Sequence, residues 1–198
     1  MVTARALRRR RSVHSRGRRR VAIPLALALV LIAISLLQAE GAVAQTKSAK
    51  RSNVTVMTCY ERQLAVAVNN TRKQYKLRKL KLVSGLMRSA GKHSLQMAVR
   101  GYFAHNSANG ASFYARVKSF YGGGSKFFSA GENMLWAEPS AAPGEVVERW
   151  LASPEHRRVL LSGHWTVFGV GVVRATHGPG VFRGRAVMLV TADFAVKR

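Results

Sequence analysis

The amino-acid sequence predicts an α+β fold, helices layered on a small sheet, and three observations carry that reading. Apolar residues recur at helical spacing between Thr58 and Arg157. Two β-rich apolar runs, Thr166 to Val173 and Ala186 to Phe194, then close the chain, separated by a Gly/Pro/His turn region. Finally, 198 residues that are 47% hydrophobic, with three Trp and eight Phe, suffice for one buried core despite the charge. No internal repeat interrupts this order.

The elements follow from the N-terminus. Nine Arg lie between Arg5 and Arg20, an uncharged apolar run spans Val21 to Leu37, and Ala42-Val43-Ala44 is a small-x-small cleavage pattern. A basic region, an apolar region and a cut site make residues 1–44 a signal peptide. The run is shorter than the roughly 20 residues of a membrane-spanning helix, which favours removal over a retained anchor. Residues 45–56 read as a basic linker, and 57–198 as the folded domain, expected to act as a monomer.

Thr58 and Glu61 fit a capping box, so a helix is expected from about 59 to 72, with Leu64 and Val68 inside. Arg72 to Lys81 then packs six basic residues into ten. They read as a solvated loop whose leucines tuck under the next element, or alternatively as a docking patch for an anionic surface. Ser84 is placed to cap a second helix that runs to Arg100 and stops at Gly101, with Leu86, Ala90, His93 and Met97 on one stripe and His93 as a hydrogen-bonded core residue.

A short third helix is expected over 111–121, with Phe113, Val117 and Phe120 inward, and Gly122-Gly123-Gly124 ends it in a mobile loop. Pro143 opens a fourth helix that buries Val146, Val147, Trp150 and Leu151. Ser153-Pro154 restarts the chain as N-cap and first residue of a fifth, which puts His156 at its third position. Trp136 and Trp150 read as core, one of them able to stack at a cleft rim on a sugar or sterol face.

Charge narrows the partners. Beyond residue 44 there are 24 Lys or Arg against seven acids, a net charge of about +17, and five of those acids fall between Gly131 and Arg157. Such a chain is drawn to polyanions, and export makes those anionic cell-wall polymers or lipid headgroups. Specific nucleic-acid binding would rest on charge alone, with no recognition motif. The single Cys59 excludes an internal disulfide and reads as a half-buried small residue, with intermolecular pairing as the alternative.

The ordered pieces His93-Ser94-x-x-Met97-Ala98, Gly101-Tyr102-Phe103-x-His105, Gly131-Glu132-Asn133, Trp150-x-x-Ser153-Pro154-x-His156-Arg157 and Gly169-Val170-Gly171-Val172 are preceded by Asn69-x-x-Arg72. Together they resemble the CAP superfamily, in its bacterial secreted SCP-like branch, over about 60 to 195. The resemblance implies an α-β-α sandwich with a small central antiparallel sheet and an open cleft carrying two His and two Glu. Matched residue by residue, His105 is the first histidine, Glu132 the first glutamate and His156 the second histidine. The second glutamate falls on Ser153, a departure that breaks the tetrad unless Glu155 or Glu148 compensates.

The implied ligand cleft is therefore His105, Glu132, Ser153 and His156. Two imidazoles suit Zn²⁺, so His105 and His156 are the candidate metal ligands, and Glu132 is the candidate general base. His156 at a helix start should favour the neutral form. Glu132 has an equally good role fixing its loop through hydrogen bonds to backbone and to His105, with Asn133 closing the same turn, and the Ser153 hydroxyl is expected to cap the helix at position 155 or 156. Two functions from different classes follow. One is a non-enzymatic exported module whose cleft binds lipid, sterol, wall polymer or protein; the other is a metal-assisted hydrolase using His105, His156 and Glu132.

Overall fold

A computed structural model describes residues 57–198; the expected signal peptide at 1–44 and linker at 45–56 lie outside the described residues. Helix α1, Cys59–Gln74, starts at the capping box, with the Thr58 side chain accepting from the Glu61 N–H and Glu61 reaching back to the Thr58 N–H. A two-residue strand β1, Lys81–Leu82, follows, then α2, Ser84–Arg100, and α3, Phe113–Tyr121. Strand β2 is Phe128–Ala137, α4 is Pro143–Ala152, α5 is Pro154–Leu160, β3 is Val167–Ala175 and β4 is Val187–Lys197.

The sheet order is β1-β3-β4-β2. β4 runs antiparallel to both β2 and β3, whereas β1 pairs with β3 in parallel over Lys81 and Leu82, so the sheet is mixed rather than wholly antiparallel. Strand alternation sends successive side chains to opposite layers. Phe168, Val170, Ala192 and Phe194 meet Leu64 and Val68 of α1 and Val146 and Trp150 of α4 in the larger core. On the other face, Leu189 and Met134 meet Met97 of α2, and Val167 and Ala195 meet Leu86 of α2 and Val117 of α3. The result is the expected α-β-α sandwich. Gly169 and Gly171 let α2 lie directly on β3: a Cβ on Gly171 would fall on the backbone of Gly91.

Several local expectations change. Ser84 does not cap α2; Val83 occupies that position and no side chain bonds there. Gly101 does end the helix, in the left-handed conformation, with its N–H on the Met97 carbonyl. Helix α3 begins two residues later than expected because the Ser112 side chain accepts from the Ala115 N–H. Cys59 is exposed rather than half-buried. The largest omission is β2: a glycine-rich loop before it and glycine within it obscured a ten-residue strand, and the Gly131-Glu132-Asn133 motif sits in that strand, not in a turn.

Candidate functional site

Strand β2 is the edge of the sheet, and its alternation builds the site. Glu132 faces the α2 and α3 layer, opposite Asp193 of β4; Asn133 faces the α4 and α5 layer, opposite Ala192. Each neighbour therefore fastens one wall. The Glu132 carboxylate meets His105 Nδ1 at 2.8 Å, and its other oxygen pairs with the Arg116 guanidinium of α3. Across the strand, Asn133 Nδ2 donates to the His156 carbonyl at 2.9 Å and holds α5 against the edge. Gly131 leaves room for the wall behind it, since a Cβ there would lie 2.7 Å from the Trp165 ring.

Between these walls is a cleft of about 550 Å³ containing His105, Glu132 and His156, with Phe113, Val159 and Trp165 as its apolar lining and Glu155 and Arg158 among its charged groups. That size suits a small organic ligand or one unit of a polymer. The residues at 105, 132 and 156 thus share one hollow, as expected. Ser153 does not line it. It is the N-cap of α5 by position, yet its hydroxyl makes no capping bond. Of the two acids that could have replaced the missing glutamate, Glu155 lines the cleft and Glu148 does not. Trp150 is fully buried and donates to the Met134 carbonyl, while Trp136 packs on Phe182 under Arg185; the tryptophan at the cleft is Trp165.

Glu132 and Arg116 form the electrostatic centre. Their side chains are 0% and 4% exposed, against 51% for His105. An ionised carboxylate only accepts, so the His105 proton lies on Nδ1, and Nε2 is the ring's remaining acceptor. Arg116 also donates to the His105 carbonyl at 3.0 Å and the Ser107 hydroxyl at 2.9 Å, which fixes the loop that carries His105. His156 titrates below its ordinary range, chiefly through burial and then through the nearby His105. The neutral bias read from the helix dipole is therefore present, with desolvation as its leading cause.

Glu132 is not placed to serve as a third metal ligand beside His105 and His156. The guanidinium of Arg116 already neutralises the carboxylate that would complete a His-His-Glu set, and a second cation beside it would be repelled. Among the described residues, no three His, Cys, Asp or Glu side chains gather as a metal-holding group. The hydrolase reading through His105, His156 and Glu132 is accordingly not supported.

Behind the site lies Asp193, fully buried, its carboxyl beside the Ser89 hydroxyl and the Glu132 carboxylate but with no hydrogen bond of ordinary geometry among the described residues. Burial first, and the Glu132 charge second, push its pKa well above the usual carboxylate range. His93, also buried, donates from Nε2 to the Ala104 carbonyl at 2.9 Å and is held down to about 4, mainly by desolvation and then by Arg116. The structural role expected for His93 is the one it has.

Sequence reading missed Arg116 and Asp193, although both left a signal. Arg116 stands on the same 113, 117, 120 stripe that marks the buried face of α3. Asp193 is the one acid in the most buried strand.

An α-β-α sandwich with a His- and Glu-lined cleft at one sheet edge defines a class of proteins. The Cysteine-rich secretory protein family model matches residues 66–191, and the chain belongs to that family, CAP. Among curated proteins it is 31% identical over 134 residues to YkwD of Bacillus subtilis, and 33% identical over 119 residues to the membrane protein YlbC of the same organism. Those matches cover 68% and 60% of this chain but only 50% and 33% of the relatives, so it spans half their length or less. Among solved structures, an outer surface protein of Borrelia burgdorferi superposes with a TM-score of 0.56 at 17% identity, covering 72% of this chain and 97% of its own. An extracellular SCP-domain protein of Bacillus anthracis gives 0.52 at 23% identity, over 71% of this chain and 44% of its own. Both likenesses are of fold. No described helix is long and apolar enough to cross a membrane.

Proposed function

We propose that this chain is an exported, non-enzymatic binding module of the CAP family, whose cleft holds a ligand found outside the cell and whose basic surface adheres to anionic cell-wall material. One observation carries the non-enzymatic reading: both oxygens of Glu132 are engaged, by His105 and by Arg116, and the side chain has no exposed surface. A general base must reach the proton it takes, and this carboxylate, with each oxygen already accepting a charged or polar partner and no surface open to the cleft, is committed to holding the wall. Export is supported by the basic, apolar and small-x-small pattern of residues 1–44, and by relatives named as outer surface and extracellular proteins. The cleft combines an aromatic and aliphatic lining with two imidazoles and Arg158 at its wall. That mixture suits a ligand with an apolar or sugar face and an anionic group, such as an anionic lipid or a unit of a wall polymer.

The test uses the purified chain and isolated anionic wall material. Sedimentation with the wall should fall steeply as salt is raised, and replacing His105 and His156 together by Ala should remove saturable cleft binding while leaving the salt-sensitive adhesion. Release of soluble wall fragments by the wild type, abolished in the double variant, would overturn the reading.

A further inference from the structure

The basic stretch from Arg72 to Lys81 is divided by the fold. Arg72 is fully buried; its guanidinium donates to the Arg78 carbonyl at 3.2 Å, the Leu160 carbonyl at 2.6 Å and the Ser162 carbonyl at 3.0 Å. This buried cation joins the segment after α1 to the end of α5 and the turn that follows. Lys73, Lys76, Arg78, Lys79 and Lys81 remain exposed. A second joint lies on the surface: Arg157 Nη2 donates to the Tyr75 hydroxyl at 3.2 Å, and the guanidinium stacks over the Tyr75 ring at 5.1 Å. The loop is therefore held against α5.

Helix α5 adds two more exposed cations. Arg157 and Arg158 line an open depression with Pro154, Leu161 and Ser162, and Arg158 also belongs to the wall of the cleft. Cleft and depression thus share a residue, and the basic loop abuts the second of them. The acid on α5, Glu155, belongs to the cleft lining and not to this depression.

We propose that this cationic ledge, from Arg158 at the cleft across Arg157 to the α1–β1 loop, is a docking surface for a phosphodiester polymer, one unit of which enters the cleft. The inference rests on the reading of the chain as an exported binding module and names the class of polymer. Arginine favours phosphate because its planar fork donates two parallel hydrogen bonds to the oxygens. The buried Arg72 and the Tyr75 contact fix the loop before any ligand arrives, so less ordering cost is left for binding. A membrane is the poorer fit. Insertion needs free apolar side chains, and the large ring exposed on the ledge, Tyr75, is tied through its hydroxyl and one ring face to Arg157.

The experiment titrates the full chain with short synthetic poly(glycerol phosphate), with polyglutamate, and with vesicles of anionic phospholipid, each at several salt concentrations. The wild type should bind the phosphate polymer more tightly than polyglutamate or vesicles at equal charge. The double variant Arg157→Gln/Arg158→Gln should bind it about tenfold or more weakly, with a log-log salt slope smaller by about two, one per phosphate contact removed. A charge-matched control, Lys92→Gln/Arg183→Gln, lies on α2 and on the turn before β4 and should stay within about twofold of wild type. Equal losses in the two variants would overturn the ledge and leave general adhesion standing. Tighter binding to vesicles or equal binding to polyglutamate overturns the phosphodiester assignment. No binding by the wild type to any of the three, or to wall material, would sink the underlying reading as well.

Discussion

Replacing Glu132 by Met is the sharpest test of how the cleft is built. Met keeps the volume and removes the charge, which leaves Arg116 with a side chain only 4% exposed and no carboxylate partner. Breaking a buried ion pair from one side costs about 3–5 kcal/mol, because the remaining charge is neither hydrated nor neutralised. In a domain of this size that corresponds to a loss of roughly 10 °C in Tm. Arg116→Met should cost a similar amount, since it strands the carboxylate. The double variant Glu132→Met/Arg116→Met should recover most of the loss, because two apolar side chains of matching volume can fill the space. Thermal and denaturant unfolding of all four proteins at one pH gives the coupling energy as a double-mutant cycle. Asp193, paired in register with Glu132, is the group placed to take over Arg116 once Glu132 is gone. The cycle is therefore repeated with Asp193→Asn, which should enlarge the single-variant loss. Additive single costs, or a Glu132→Met cost below about 1 kcal/mol, would refute the claim that the carboxylate is committed to structure.

Three further outcomes follow from the same cluster and the sheet beneath it. Asp193 holds a proton in the folded state that the unfolded chain releases above the ordinary value of 3.8. The stability it supplies is present at acid pH and declines as pH rises through its raised pKa, so Asp193→Asn should abolish that decline and gain stability relative to wild type at neutral pH in urea melts; an unchanged pH profile sinks this assignment. His93 has the opposite sign. With its pKa lowered to about 4, the unfolded chain takes a proton near 6.5 that the native state refuses, so about 3 kcal/mol should be lost as pH falls from 6.5 to 4, and His93→Gln should flatten that limb of the profile or the burial argument fails. Gly171→Ala should cost about 3 kcal/mol through collision with the α2 backbone, whereas Gly91→Ala, which meets nothing within 4 Å, should be neutral or stabilising by up to about 1 kcal/mol; equal effects in circular-dichroism melts would show that α2 does not rest on β3.

Most helices were legible because their signals are local. The capping box at Thr58 and Glu61, the left-handed stop at Gly101 and the proline starts at Pro143 and Pro154 each act within one turn of chain. Strands β3 and β4 announced themselves through branched and aromatic residues. β2 did not, because Gly131, Glu132 and Asn133 are poor strand formers in isolation, and their conformation is imposed by ten paired positions on β4. β1 is two residues long and exists only because Thr166 to Phe168 runs beside it. The basic stretch that begins in the last turn of α1 reads as surface, yet Arg72 turns inward onto the Arg78 carbonyl of the same stretch and the distant Leu160 and Ser162 carbonyls.

The sequence by itself determined the family resemblance, the helices, the closing strand pair and three residues that line the cleft, His105, Glu132 and His156, since each is written in spacing or in a short motif. Tertiary structure decided what those residues do. Only the pairing of β2 with β4 put Glu132 and Asn133 on opposite layers, and only the packing of α3 brought Arg116 to the carboxylate. Because a buried charge must find its counter-charge from wherever the fold supplies one, the sequence could offer Glu132 a structural role beside His105, but that Arg116 is the cation it anchors could be read only from the folded chain.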